Sequence, residues 1–266
     1  MNSTVGKLYK IIYPGLESEI FLPNDDYPSG NCSYRFIVDT VKKYQHWEYD
    51  FFDPILKHIP EGSTVLDIGC NVGTYTLAFS HAVGDAGQVH AFDPQPYCKV
   101  CVDMSVEHNN ISNVKMHRIC MGSVESDTVL FLGNDSGLSL VCDGKIDFGS
   151  IPDKMETKLR KGERIDVTEV VRSQIGNQII NNKGDLFLSY EKTKTIDSLS
   201  LDNVSFIKID VEGYAPHVFE GGIETIKKYK PVIFTDQLHD ILPQLNYSIT
   251  SLHERSGEEM KLCVPR

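Results

Sequence analysis

The sequence predicts an α/β fold built on an open, mostly parallel sheet. Three observations carry that expectation. Ser63 to Tyr75 reads as a buried strand, a glycine turn and the start of a helix. Gly87 to Pro94 reads as a second strand that ends in an acidic residue, Asp93. Val204 to Gly213 repeats the signature, with Asp210, Glu212 and a glycine at its end. Short runs rich in β-branched apolar residues, set between helical stretches, suit a parallel sheet covered on both faces.

The first of these stretches also narrows the ligand. Asp67 stands at the end of the strand, and Gly69 and Gly73 flank the turn that follows. A dinucleotide site wants G-x-G-x-x-G, so that a helix N-terminus can hold a pyrophosphate. Here the spacing is D-x-G-x-x-x-G, and a carboxylate stands where a phosphate would be repelled. A cationic, hydroxyl-rich ligand without phosphate fits better, and S-adenosylmethionine is such a ligand. Asp93, 20 residues beyond Gly73, is placed to accept hydrogen bonds from ribose hydroxyls. Asp67 alone also reads as a helix cap or turn residue; the ordered set Asp67, Gly69, Gly73 and Asp93 is what favours the ligand.

Composition excludes some classes. The net charge of -11 argues against non-specific nucleic-acid binding and against an anionic membrane surface. The first 20 residues carry charges and no long apolar run, so the expected location is cytoplasmic. Seven cysteines, an odd number at scattered spacing, read as reduced thiols. Cys98 and Cys101 form one C-x-x-C with no second pair nearby, which reads as two thiols on one helix, partly buried, rather than a zinc site.

Taken in order, residues 1–44 read as an N-terminal extension laid over a main domain of residues 45–266. Tyr9–Tyr13 and Glu19–Leu22 are its candidate strands, and Pro14-Gly15 and Asn24–Asn31 its loops. Tyr44–His58 reads as one helix, with Trp47, Phe51, Phe52, Ile55 and Leu56 on one side. Pro94–Asn109 reads as a helix, Val114–Ile119 as a strand, and Cys120–Ser123 as the place for a nucleotide base. Residues 133–189 lose the periodic pattern and are expected to form an insertion with short strands and a helix, either a substrate lid or a solvated excursion. His217–Tyr229 reads as one helix, Pro231–Asp236 as a strand, and Tyr247–Leu252 with Met260–Val264 as antiparallel additions.

Two blocks resemble a known family. One is Thr64–Gly73 followed by Ala91–Pro96. The other is Thr195–Leu199 with Ile207-Lys208-Ile209-Asp210-Val211-Glu212-Gly213-Tyr214, then Gly221-Gly222 and Pro231. Together they resemble the FkbM family of S-adenosylmethionine-dependent methyltransferases, over roughly residues 45 to 240. The K-x-D-x-E-G element is the more specific of the two. The resemblance implies a class I, Rossmann-like three-layer sandwich with a seven-stranded sheet, the insertion preceding its fourth strand. It implies O-methylation, often of sugar hydroxyls in glycans or natural products. By position it places Asp67, Gly69, Asn71, Gly73 and Tyr75 along the methionine and ribose part of the cofactor, Asp93 at the ribose hydroxyls and Met121 at the base. The family usually has an acidic residue two positions after the glycine; this chain has Ala215 there.

A sugar hydroxyl needs its proton drawn off as the new bond forms, by a base or by a metal that acidifies it. Asp210 and Glu212, two apart on a strand, are expected to share a face. They are candidates for the base, or for oxygen ligands to a divalent cation such as Mg²⁺. His239 is a third candidate, because an imidazole titrates near neutrality. The expected partner is a small-molecule or glycan acceptor, with the protein a monomer or homodimer. Two other readings stay open: a fold that retains S-adenosylmethionine without turnover, and a nucleotide-dependent oxidoreductase.

Overall fold

The computed structural model describes residues 6–23, 33–134, 139–141, 153–161, 163, 165–166, 186–254, 257 and 259–266. Strands β1 (Gly6–Tyr13) and β2 (Leu16–Pro23) form an antiparallel hairpin that turns at Pro14-Gly15, where Gly15 has φ 72°. Helix α1 (Ser33–Tyr44) follows, and then α2 (Tyr49–Leu56). The helix expected over Tyr44–His58 therefore starts only at Tyr49, and α1 precedes it in a stretch whose sequence pattern reads as irregular. Gln45 and Glu48 take left-handed backbone conformations, at φ 59° and 46°. Gln45 ends α1 by donating its N–H to the Val41 carbonyl, and its own carbonyl accepts the Ile12 N–H of β1. Hairpin and helix end thus fix each other. The loop expected over Asn24–Asn31 lies outside the described residues.

The main sheet starts with β3 (Thr64–Ile68), which leads through α3 (Thr74–Val83) to β4 (Gln88–Phe92) and through α4 (Pro96–His108) to β5 (Val114–His117). A smaller sheet follows, from β6 (Cys120–Met121), β7 (Ser126–Asn134), β8 (Ser139–Val141), β9 (Ile165–Asp166) and β10 (Leu186–Lys194), with α5 (Asp153–Arg160) between β8 and β9. These are the described parts of the 133–189 insertion; its other residues, and the lid reading that rests on them, lie outside the described residues. The chain then returns to the main sheet with β11 (Val204–Ile209), α6 (Ala215–Glu220), α7 (Ile223–Tyr229), β12 (Val232–Thr235), α8 (Ile241–Gln244), β13 (Tyr247–His253) and β14 (Glu259–Pro265).

The seven strands run in the order β13-β14-β12-β11-β3-β4-β5. The five from β12 to β5 are parallel, and β14 and β13 add antiparallel at one edge. Alternation along the strands builds three layers. On β3, Val65 joins the core shared with α2, α3 and the hairpin, while Leu66 and Ile68 join the core under α6, α7 and α8. On β11, Phe206 faces the first core, and Ile207 and Ile209 the second. This is the Rossmann-like sandwich expected.

The helix expected over His217–Tyr229 is also broken, at Gly221-Gly222. A Cβ on Gly221 would lie 2.0 Å from the Gly122 carbonyl oxygen, so the break admits the loop after β6. Asp197 caps α7 from outside, accepting the Glu224 N–H at 3.1 Å and the Thr225 N–H at 2.8 Å.

The hairpin is held on the main layers by specific bonds as well as by apolar burial. The Tyr13 hydroxyl donates to the Thr74 carbonyl at 2.6 Å, and the Phe21 N–H donates to Ser105 Oγ at 2.8 Å. Tyr13→Phe keeps the ring in the core and leaves the Thr74 carbonyl without this donor. It is expected to lower stability by about 1 kcal/mol, read as a shift in the urea midpoint with an unchanged slope.

Candidate active site

Order in the main sheet reverses between β3 and β11, and a cleft opens there at the carboxyl ends of β3, β4 and β11, where open α/β sheets bind ligands. Gly69, Asn71, Asp93, Met121, Asp210 and Glu212 are among its lining residues. The turn after β3 is forced into shape by close approach. Gly69 has φ 77°, and a Cβ on it would lie 1.8 Å from the Asp210 carbonyl oxygen. Asn71 is also left-handed, at φ 50°.

Asp93 sits at the end of β4, almost wholly buried. Its Oδ1 accepts the Gln95 N–H at 2.9 Å and its Oδ2 the Asn71 N–H at 3.2 Å. Burial pushes its carboxyl up to about 6, while the two backbone donors pull the other way. Met121 forms a wall from β6.

Beneath the cleft lies a charged group that no role was assigned in the sequence. Lys208 stands opposite Asp67 in the register of β11 against β3. Both are buried, on the face that Val65 and Phe206 otherwise make apolar. The Lys208 Nζ donates to the Gly69 carbonyl at 3.1 Å and lies 3.6 Å from Asp67 Oδ1 and 3.4 Å from Asp210 Oδ2. It also lies 5.1 Å from the centre of the Tyr75 ring. The flanking carboxylates of Asp210 and Asp67 raise its proton affinity against the opposing effect of burial, so Lys208 stays charged. Burial pushes Asp67 up, and Lys208 with the Thr76 hydroxyl, 2.6 Å from Oδ2, pulls it back. The signal was present in the sequence: a lysine inside Phe206-Ile207-Lys208-Ile209 has no route to water unless it meets a partner.

Several expected placements are corrected. Asp67 does not line the cleft; it is fully buried, engaged by Thr76 and Lys208. Gly73 is the residue before α3, and a Cβ there would lie 2.9 Å from Val102 Cγ2. Tyr75 points into the aromatic core against Phe52, and its hydroxyl donates to Glu48 Oε2 at 2.7 Å. Asp210 and Glu212 both line the cleft, but not by strand alternation. β11 ends at Ile209, and Glu212 has φ 51°. His239 lies outside the cleft lining: its ring stacks on Phe219 and its Nδ1 accepts the Ile241 N–H at 3.1 Å. Ala215 is fully buried at the start of α6.

The donor set does not fit a divalent cation. Among the described residues no group of three or more His, Cys, Asp or Glu side chains is placed to hold one. Asp210 already faces the Lys208 ammonium. Cys98 and Cys101 share α4, as their spacing implied, and are fully rather than partly buried.

The Methyltransferase FkbM domain profile matches residues 67–258. The chain belongs to the FkbM methyltransferase family. No curated protein matches its sequence. Among solved structures it is similar to an FkbM methyltransferase from Methylobacillus flagellatus KT, with 13% identity and TM-score 0.46, over 76% of this chain and 43% of that one. The FkbM chain described here thus spans less than half of that relative's length. It is also similar to a SAM-dependent methyltransferase from Aquifex aeolicus (15% identity, TM-score 0.36, 81% of this chain and 89% of that one). A methyltransferase from Geobacter sulfurreducens is a third (9% identity, TM-score 0.42, 87% and 88%). Among the described residues no helix is long and apolar enough to cross a membrane.

Two measurements check the electrostatics. Lys208→Met leaves Asp67 buried without its cation and is expected to lower stability by about 3–5 kcal/mol; adding Asp67→Asn should restore part of that in the urea midpoint. Asp93 has a folded value near 6, above its ordinary 3.8. The folded protein therefore holds a proton that the unfolded chain has already lost. Asp93's contribution to stability is largest below about pH 4 and declines as pH rises to about 6. Asp93→Asn should remove that decline from a stability series between pH 4 and pH 7.

Proposed function

We propose that this FkbM protein is an S-adenosylmethionine-dependent O-methyltransferase, acting on a sugar or glycan hydroxyl or a small hydroxylated metabolite. The observation that carries the reading is the placement of Asp93. It is a buried carboxylate, fixed by two backbone donors, on the wall of the cleft at the sheet's switch point. A carboxylate there suits ribose hydroxyls; the nucleotide-dependent oxidoreductase is disfavoured by the first turn, which reads D-x-G-x-x-x-G and not G-x-G-x-x-G.

The chain's residues divide the work. Asp93 receives the ribose hydroxyls. The backbone of Gly69 and Asn71, shaped by the left-handed turn, lies along the cofactor, with Met121 against the base. S-adenosylmethionine supplies a methyl group already activated by its sulfonium. Positioning then does much of the catalysis, and what remains is the acceptor's proton. Asp210 is our choice of base: it lines the cleft, with its side chain 42% exposed. Lys208 holds it from below, so the carboxylate is oriented before the acceptor arrives. Glu212, at the same edge, is placed to hold the acceptor's other hydroxyls.

In this reading the N-terminal hairpin and α1 pack over a methyltransferase domain of residues 45–266, and the smaller sheet borders the acceptor. Five buried free cysteines, Cys70, Cys98, Cys101, Cys120 and Cys263, agree with a reducing, cytoplasmic setting.

Titration calorimetry with S-adenosylhomocysteine tests the cofactor site. Binding is expected for the wild type, and for Asp93→Ala with a raised but still measurable Kd. Affinity should also fall as pH drops below about 6, because a protonated Asp93 accepts fewer hydrogen bonds. Absence of binding to the wild type near neutral pH would sink the reading. Given binding, transfer of labelled methyl to a panel of sugars, with Asp210→Asn as the control lacking the base, identifies the acceptor class.

A further inference from the structure

Arg118 follows β5, outside any strand or helix. Its Nη2 donates to both carboxylate oxygens of Glu191, at 2.7 and 2.8 Å, and its Nε donates to the Pro94 carbonyl at 3.1 Å. Glu191 lies on β10 of the smaller sheet and is 6% exposed; the Ser189 hydroxyl donates to the same carboxylate at 3.1 Å. A carboxylate so buried is strongly unfavourable without its cation, so Glu191 holds the guanidinium in one place.

Pro94 sits between the two residues that form the ribose corner of the cleft. Asp93 supplies the carboxylate, and the Gln95 N–H holds its Oδ1. On the facing wall, Met121 pairs with Lys194 and Cys120 with Thr193, so β6 is also fastened to β10. Both walls at this end of the cleft are thus tied to one strand of the smaller sheet, one through a backbone ladder and the other through a single side chain.

We propose that Arg118 is a positioning residue for the cofactor: anchored on Glu191, it holds the Asp93–Gln95 segment in the shape that receives the ribose, and so makes cofactor affinity depend on the smaller sheet. The proposal rests on the reading of this cleft as an S-adenosylmethionine site. Lysine in place of Arg118 retains the charge but not the planar group that reaches Glu191 and Pro94 together.

The test is calorimetric titration of the full chain with S-adenosylhomocysteine. Arg118→Ala leaves Glu191 buried and alone, so it is accompanied by Arg118→Met/Glu191→Gln, which removes both charges together. Arg118→Lys and the double variant are each expected to raise Kd about tenfold, the weight of one charge-assisted hydrogen bond. Asp93→Ala made in the double variant should raise Kd by a smaller factor than in the wild type, because the Asp93 corner is already displaced. A role in folding alone predicts a lower melting temperature, Kd within twofold of the wild type and full additivity with Asp93→Ala. That result would overturn the proposal. The wild-type titration separates the two levels: no binding there removes the cofactor reading itself, whereas tight binding that is indifferent to Arg118 removes only this inference.

Discussion

Everything at the cleft stands on a lysine and an aspartate that face each other across two parallel strands on a buried face of the sheet. Neither charge is tolerable there alone, and the register of β11 on β3 is what brings them together. A slip by one residue would send Lys208 and Asp67 to opposite faces of the sheet. The pair therefore specifies the register of the two central strands, besides contributing to the site. The same ammonium bonds the Gly69 carbonyl and faces Asp210, so the glycine turn and the end of β11 are placed by one group.

Much of this was legible before the structure. The strand-turn-helix at Thr64–Val83, the acidic end of β4, the N-terminal hairpin and the antiparallel tail all follow from local pattern: β-branched runs, glycines at turns and period-two alternation. What was misread has a common cause. The runs over Tyr44–His58 and His217–Tyr229 have helical apolar spacing throughout, yet the first becomes helical only from Tyr49 and the second is broken. The reasons are tertiary: Ile12 bonds the Gln45 carbonyl, and Gly122 needs the space beside Gly221. Periodicity records which face is buried and is silent on a long-range contact that ends a helix.

The site divides in the same way. Asp93, Gly69, Asn71, Met121, Asp210 and Glu212 line the cleft, as their positions along the chain implied. Asp67, Tyr75 and His239 are polar residues close in sequence to the site, or to the strand ends beside it, whose side chains are committed elsewhere: Asp67 to Thr76 and Lys208, Tyr75 to Glu48, His239 to the start of α8. Neighbourhood along the chain marks a residue as near the edge of the sheet. Which way it points depends on the strand's face and on where the strand stops, and β11 stopping at Ile209 is what turned Asp210 and Glu212 into the opening.

The N-terminal hairpin has a consequence for how the chain is made. Its strands leave the ribosome well before the helices they pack on, and a two-stranded hairpin alone in water is marginal at best. Its partners lie far down the chain: Phe21 bonds Ser105, 84 residues later, and Ser18 bonds Asn109, 91 residues later. At ordinary rates of synthesis the wait is on the order of ten seconds. During that interval Ile11, Tyr13, Ile20 and Leu22 have no core to enter. The hairpin is made early and secured late, and until then its apolar face stays uncovered.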